Sequence, residues 1–482
     1  MISKRDFKKI NDYLWEIPKS FRSDMRVPAR VYVSEKMLED VFRDKSLEQL
    51  INLATLPGVQ KYSIAMPDCH EGYASPIGGV VAIRTSDGII SPGMQGYDIN
   101  CGMKLLKSEW REKEIQPYLD NLATEIQKEV PSGLGRGRQI KLSIGQIDKI
   151  LEGGAKRLVE QGYGEKEDID NCEAEGSLPW ANVSAVSNQA KNRGRDQVGT
   201  LGSGNHFLEL QKVAEIFDEK TAKIFGLFEG QIVVMIHCGS RGLGHQVCTD
   251  YLKEFIPLME RKYKIKVPDR EFACVPFNSP EGQRCLGASA SAANYAWANR
   301  QMIAHFVRKA WRSILGERAS SLVALYDVAH NIIKKEKYII DGRETEVAVH
   351  RKGATRAFPP GHPEIPEKYR SAGQPVLIPG SMGTASYILV GAKEGEEAFY
   401  STCHGAGRTM SRHEAMRRTT GQEVVKMLER KGIIVKCQSL RGIAEEAPLA
   451  YKNIDDVVEV VHQAGLSRKV AKLMPLAVIK GE

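Results

Sequence analysis

Apolar positions fall along this chain in blocks of two kinds. Gly78-Gly79-Val80-Val81-Ala82-Ile83-Arg84 and Gln231-Ile232-Val233-Val234-Met235-Ile236-His237 are short, continuous apolar runs bounded by glycine or polar residues, a pattern that predicts buried strands. From about Ala293 to Leu315 the apolar residues Met302, Ile303, Phe306, Val307, Ala310 and Ile314 return at helical spacing and predict an amphipathic helix. Two stretches follow neither rule. Pro131-Ser132-Gly133-Leu134-Gly135-Arg136-Gly137-Arg138 and the segment from Lys352 to Pro375 read as ordered loops. Loops of that length in compact proteins are often functional. There is no internal repeat and no low-complexity linker. The alternation predicts an α+β (mixed α/β) fold: one large domain over residues 1–482 with inserted lobes and no internal boundary.

Composition narrows this only slightly. The 482 residues are 42% hydrophobic and 27% charged, ordinary for a globular chain with a large core. No run of about 20 apolar residues occurs, so no membrane span is expected. The segment Met1-Ile2-Ser3-Lys4-Arg5-Asp6-Phe7 has no apolar signal core, which makes the cytoplasm the expected location. The net charge of +8 allows a polyanionic partner without requiring one. Nine scattered cysteines with no CxxC pair argue against a disulfide framework or a zinc ribbon.

The candidate chemistry lies at the ends of apolar runs. Of eleven histidines, four sit at the ends of apolar runs, three of them beside glycines: His206 in Gly202-Ser203-Gly204-Asn205-His206, His237 before Cys238-Gly239-Ser240-Arg241, His404 before Gly405-Ala406-Gly407-Arg408, and, without glycine, His330 in Tyr326-Asp327-Val328-Ala329-His330. Gly96-Tyr97-Asp98-Ile99-Asn100-Cys101-Gly102 adds a carboxylate and a thiol three residues apart. Taken singly, each is more often structural. Together, Asp, Cys and several His suit a borderline transition metal, and a thiolate can bridge two ions. These ligand types alone allow Zn²⁺, Fe²⁺ or Co²⁺. His305, His413 and His462 read as surface residues.

Some motifs are absent. There is no GxxxxGK[ST] loop, and neither Asp87-Gly88 nor Asp341-Gly342 has the preceding lysine of a lysine-type ligase motif. A nucleotide would need another cradle, such as Pro379-Gly380-Ser381-Met382-Gly383-Thr384 or His404-Gly405-Ala406-Gly407-Arg408. Arg193, Arg241, Arg351, Lys352, Arg356 and Arg408 stand beside these turns and could neutralise a polyanion.

Seven ordered motifs, from Gly96-Tyr97-Asp98-Ile99-Asn100-Cys101-Gly102 through His350-Arg351-Lys352-Gly353-Ala354-Thr355-Arg356 to His404-Gly405-Ala406-Gly407-Arg408, resemble the RtcB family of RNA ligases from about Trp15 to Lys480. The resemblance implies a single large RtcB-type catalytic domain. The implied reaction joins an RNA 3′-phosphate or 2′,3′-cyclic phosphate to a 5′-hydroxyl with GTP and two Mn²⁺ ions, as in tRNA splicing and RNA repair. It implies that Asp98, Cys101 and His206 hold one ion and Cys101, His237 and His330 the other. His404 would carry GMP covalently, and the activated RNA end would be RNA(3′)pp(5′)G. Asn205, His206, Phe207, Leu208, Glu209, His330, Asn331, Pro379, Gly380, Ser381, Met382, Ser386, His404, Gly405, Ala406, Gly407, Tyr451 and Lys480 fall where the family contacts the guanylate. Glu209, with Lys480 close by, would read the base. Arg193 falls at the family's RNA phosphate, and Arg241, Arg351 and Arg408 are further RNA candidates. The implied partners are tRNA exon halves and an archease-type activator, with the ligase a monomer.

Two readings compete with ligation. A metal-dependent phosphoesterase acting on RNA ends would need the metal set but neither His404 nor a GTP pocket. A non-catalytic RNA-binding scaffold would not need all five metal ligands. The chain departs from the family at Pro67-Asp68-Cys69-His70, where glycine is usual at the third position, and at Ala74. Space-filling is the simplest role for Cys69.

Overall fold

The computed structural model describes residues 2–132 and 142–481. Most of the glycine- and arginine-rich loop expected at 131–138 lies outside the described residues. The predicted strands form with small extensions, as Ile77–Arg84 and Gln231–Cys238. The fold is mixed α+β, as expected.

One sheet takes the strands Val323–Ala329, Gly102–Arg111, Gln231–Cys238, Phe207–Ile216, Ser467–Lys480, Ser386–Gly391 and Pro375–Ile378 in that order, each antiparallel to its neighbour. Its first and last strands approach each other, so the sheet curls into a nearly closed barrel. Alternation along each strand divides the residues between two cores. Met103, Leu105, Val233, Met235, Leu325 and Ile388 fill the interior. Leu106, Leu208, Ile232, Val234 and Ile236 face outward into a helical layer.

That layer is dominated by helix Pro280–Leu315, much longer than the expected segment. Ser279 caps its start by accepting from the Gly282 N–H at 3.1 Å, and Pro280 occupies the first turn, where its missing donor costs nothing. The upstream half, Gly287-Ala288-Ser289-Ala290-Ser291-Ala292, has no large apolar residue to mark a stripe. It is helical because alanine favours helix, and it is buried because small side chains allow close packing. The segment Lys352–Pro375 is also more ordered than expected: it contains strand Ala354–Arg356, paired with Ser401–Cys403, and helical turn Glu367–Arg370.

The second sheet has the order Lys8–Asn11, Leu14–Ile17, Ala29–Tyr32, Val59–His70, Ile77–Arg84, Arg343–Lys352 and Asn331–Ile340. The chain passes from one sheet to the other at His330, between strands Val323–Ala329 and Asn331–Ile340. Among the described residues no helix is long and apolar enough to cross a membrane.

Candidate active site

The five expected metal ligands converge at this seam. Cys101 Sγ lies 3.4 Å from His206 Nε2 and 3.3 Å from His237 Nε2. His237 Nε2 is 3.3 Å from His330 Nε2, and His206 Nε2 is 2.8 Å from Asp98 Oδ2. Two ligand triads result, Cys101–His237–His330 and Asp98–Cys101–His206, with Cys101 in both. Ligand bonds of about 2.0–2.3 Å around one ion place donor atoms about 3.3–3.8 Å apart, so most of these separations fit a metal polyhedron.

At His237, His330 and Cys101 the electrostatics agree. Burial, and then the neighbouring histidines, hold His237 and His330 well below the usual imidazole range, leaving neutral rings with lone pairs to donate. Burial, with Asp98 nearby, pushes the Cys101 thiol up to about 12, so a cation is what would hold it as thiolate. Gly239 permits the crowding: a Cβ there would lie 2.4 Å from the Asp98 carboxylate.

His404 follows the short strand Ser401–Cys403, and its ring stands 5.1 Å from that of His330. Its Nδ1 meets Asp68 Oδ2 at 2.6 Å, and the same oxygen accepts from the backbone N–H of His404 at 2.9 Å and of Gly405 at 3.2 Å. Burial opposes a charge on Asp68, but these contacts outweigh it and hold the carboxyl below its usual range. With Nδ1–H donated to Asp68, a neutral His404 ring keeps its lone pair on Nε2. The turn requires Gly407: its φ is +71°, and a Cβ there would lie 2.1 Å from the Asp68 carbonyl oxygen.

Beside His404 opens a pocket of about 230 Å³. Its walls include Asn205, Phe207, Pro379, Gly380, Ser381, Met382, Gly405, Ala406, Gly407, Tyr451 and Lys480, all expected at the nucleotide, and Arg408, expected at RNA. Lys480 Nζ donates to the carbonyls of Gly204 and His206 at 2.6 and 2.8 Å, and burial lowers its pKa to about 8. Other expected residues do not reach this wall. Leu208 follows the strand alternation into the helical core. Ser386 Oγ lies behind the wall, accepting from Gly380 N–H at 3.2 Å and Gln211 at 3.1 Å. Asn331 bonds the Asp98 carbonyl at 3.1 Å and Gly353 N–H at 2.8 Å. Glu209 is buried, accepting from Gln211 Nε2 at 2.6 Å.

The arginines divide. Arg193 is exposed and donates to Gln246 at 2.9 Å; Arg241 lies nearby, on the Asp98 side of the cluster. Arg408 lines the pocket, held by Glu446 at 2.9 Å. Arg351 is a correction: its guanidinium is fully buried, bonded to Glu336 at 2.5 and 3.0 Å and to Ser401 Oγ at 2.8 Å, so it cannot meet RNA. The end of strand Arg343–Lys352 is buried on both faces, so a side chain there is internal whichever way it points. Lys352 and Arg356 are likewise buried. His413 is exposed as expected; His305 and His462 are half-buried, His305 edge-on to Tyr163.

Sequence reasoning missed Asp68, His70, Arg412 and Glu446. Asp68 and His70 lie in a motif singled out only for Cys69. Alternation on strand Val59–His70 turns Cys69 into the core, where burial raises its thiol to about 11, while Asp68 reaches His404 and His70 lines the pocket. Glu446 accepts from Arg408, Arg412 and Tyr451 at the pocket wall, and no local pattern marks it.

A family model described as tRNA-splicing ligase RtcB matches residues 49–481. The chain is 53% identical over 477 residues to a tRNA-splicing ligase RtcB of Archaeoglobus fulgidus, covering 98% of each chain. It is 51% identical over 477 residues to that of Thermococcus kodakarensis, again covering 98% of each. An RNA-splicing ligase RtcB of Mycobacterium tuberculosis is 49% identical over 436 residues, 90% of this chain and 100% of that protein.

Proposed function

The chain belongs to the RtcB family of RNA ligases, and on that premise we propose that it joins RNA 3′-phosphate or 2′,3′-cyclic phosphate ends to 5′-hydroxyl ends, in tRNA splicing and RNA repair, using GTP and Mn²⁺. The observation that carries this reading is the placement of His404. Its Nδ1 is held by Asp68, and its ring stands between the pocket and the Cys/His cluster.

His404 Nε2 attacks the α-phosphorus of GTP; the P–N bond forms as the P–O bond to pyrophosphate breaks. An oxygen of the RNA 3′-phosphate then attacks the same phosphorus, the P–N bond breaks, and RNA(3′)pp(5′)G results. The 5′-hydroxyl oxygen attacks the RNA phosphorus, the P–O bond to GMP breaks, and the hydroxyl proton passes to water or to the departing GMP phosphate. Asp68, bonded to Nδ1, orients the ring so that Nε2 is the attacking nitrogen, and it offsets charge on the ring as the P–N bond forms. Asp98, Cys101 and His206 would hold one Mn²⁺, and Cys101, His237 and His330 the other. Bound there, the ions supply Lewis-acid stabilisation of phosphate charge and could activate the water that opens a cyclic phosphate. The Gly405–Gly407 backbone and Arg408 offer N–H donors to phosphate. Glu209, buried behind the pocket wall beside Lys480, is the acceptor that the family resemblance assigns to the guanine N–H groups. Arg193, Arg241 and Arg408 contact RNA. The enzyme acts as a cytoplasmic monomer, with an archease-type activator as partner.

The test is covalent labelling with α-labelled GTP and Mn²⁺. Label that is acid-labile, alkali-stable and absent from His404→Ala is the expected result. No label on metal-loaded protein would leave an RNA-end phosphoesterase as the better reading, and label persisting in His404→Ala would mean another nucleophile.

A further inference from the structure

Arg300 has no part in the chemistry just described, yet it touches three segments that carry the metal ligands. It lies on helix Pro280–Leu315 and is completely buried. Its Nη1 donates to the Asn100 carbonyl at 2.7 Å and to the Cys238 carbonyl at 2.8 Å. Nη2 reaches Asn100 Oδ1 at 3.2 Å, and Nε reaches Asp327 Oδ1 at 2.8 Å. Asn100 lies between Asp98 and Cys101, Cys238 follows His237, and Asp327 is on the strand ending at His330.

The preceding residue serves the remaining ligand. Asn299 Oδ1 accepts from Gly199 N–H at 2.7 Å, and its Nδ2 donates to the Gly239 carbonyl at 3.1 Å. The Gly199 segment leads to Leu201, whose carbonyl bonds His206 Nδ1 at 3.1 Å. The ligands therefore come from four separate stretches of chain, and one turn of one helix joins them.

We propose that Arg300 is a positioning residue that fixes the spacing of the two ligand triads, a role that rests on the metal-dependent reading above. Stability alone is a poor reason for such a group. Desolvating a guanidinium and a carboxylate together is costly, and apolar residues of similar volume can replace a buried pair without loss. A guanidinium offers something an apolar residue does not: five donors in a rigid plane, which set the positions of several acceptors at once. Lysine has the charge but no such plane.

The same helix supplies a control. Arg308 is also buried and pairs with Asp168 at 2.6 Å, but it bonds the Leu322 carbonyl, at the end of strand Val323–Ala329 remote from His330. Mn²⁺ binding to the full chain is measured by calorimetry, and the thiolate-to-metal absorption band is recorded with Co²⁺. Arg300→Lys is expected to weaken Mn²⁺ binding roughly 10–100-fold and to shift the Co²⁺ band. Arg308→Lys, at a comparable loss of melting temperature, is expected to change neither. Should Arg300→Lys fail to fold, Asp327→Asn, which removes the charge orienting the guanidinium, is judged by the same criteria. Unchanged affinity and band in the Arg300 variant, or equal losses in both, overturns the positioning role alone. Absence of metal binding in the wild type overturns both this role and the metal-dependent reading.

Discussion

Asp68 Oδ2 accepts from His404 Nδ1 at 2.6 Å across 336 residues of sequence. The carboxylate does for this imidazole what an orienting acid does for a catalytic base: it selects the tautomer and fixes the ring. Asp68→Asn preserves the shape but can present an amide N–H to Nδ1, forcing the proton onto Nε2. Guanylylation is expected to slow by about 10²-fold or more, with metal content unchanged. Single-turnover labelling measures it; a rate within a factor of about three of wild type would mean that Asp68 only braces the loop.

A Cys101 Sγ common to both triads predicts unequal metal loss among ligand variants. Cys101→Ser is expected to lose both ions, because both triads use Sγ. Asp98→Ala and His330→Ala are each expected to lose one. Manganese per chain, measured by mass spectrometry after gel filtration, separates these outcomes, and full occupancy in Cys101→Ser would refute the bridge.

Burial raises the Glu209 carboxyl to about 7. If its carboxylate accepts from guanine, KM for GTP falls as pH rises through 7, and Glu209→Gln flattens that profile. Stability moves the other way. The folded chain keeps a proton that the unfolded chain releases, so wild type loses stability between about 4.5 and 7, by up to about 3 kcal/mol. Glu209→Gln should lack that slope in a melting series across pH, and a parallel series for the two proteins would place the titration elsewhere.

Arg351 and Arg193 should behave oppositely. Arg351→Ala strands Glu336 in the core and is expected to cost about 3–5 kcal/mol. Arg193→Ala removes an exposed side chain and should leave the melting temperature unchanged while raising KM for RNA. Denaturation midpoints and ligation kinetics on both variants decide this, and a stable Arg351→Ala with weakened RNA binding would reverse the assignment.

Local pattern was enough for strands such as Gln231–Cys238, because a continuous apolar run flanked by glycine has few other places to go. Residue type and position at the ends of apolar runs marked Asp98, Cys101, His206, His237, His330 and His404 as candidates, and it was the resemblance of the ordered motifs to the RtcB family that assigned them to one site. Only tertiary structure buried Arg351, because the layers that cover both faces of its strand end and the pairing that brings it to Glu336 are set by the fold. Only tertiary structure brought Asp68 to His404, Glu446 to the pocket and Arg300 to three ligand segments at once. Those relationships join residues remote in sequence, and a buried carboxylate or guanidinium looks, along the chain, like any surface charge.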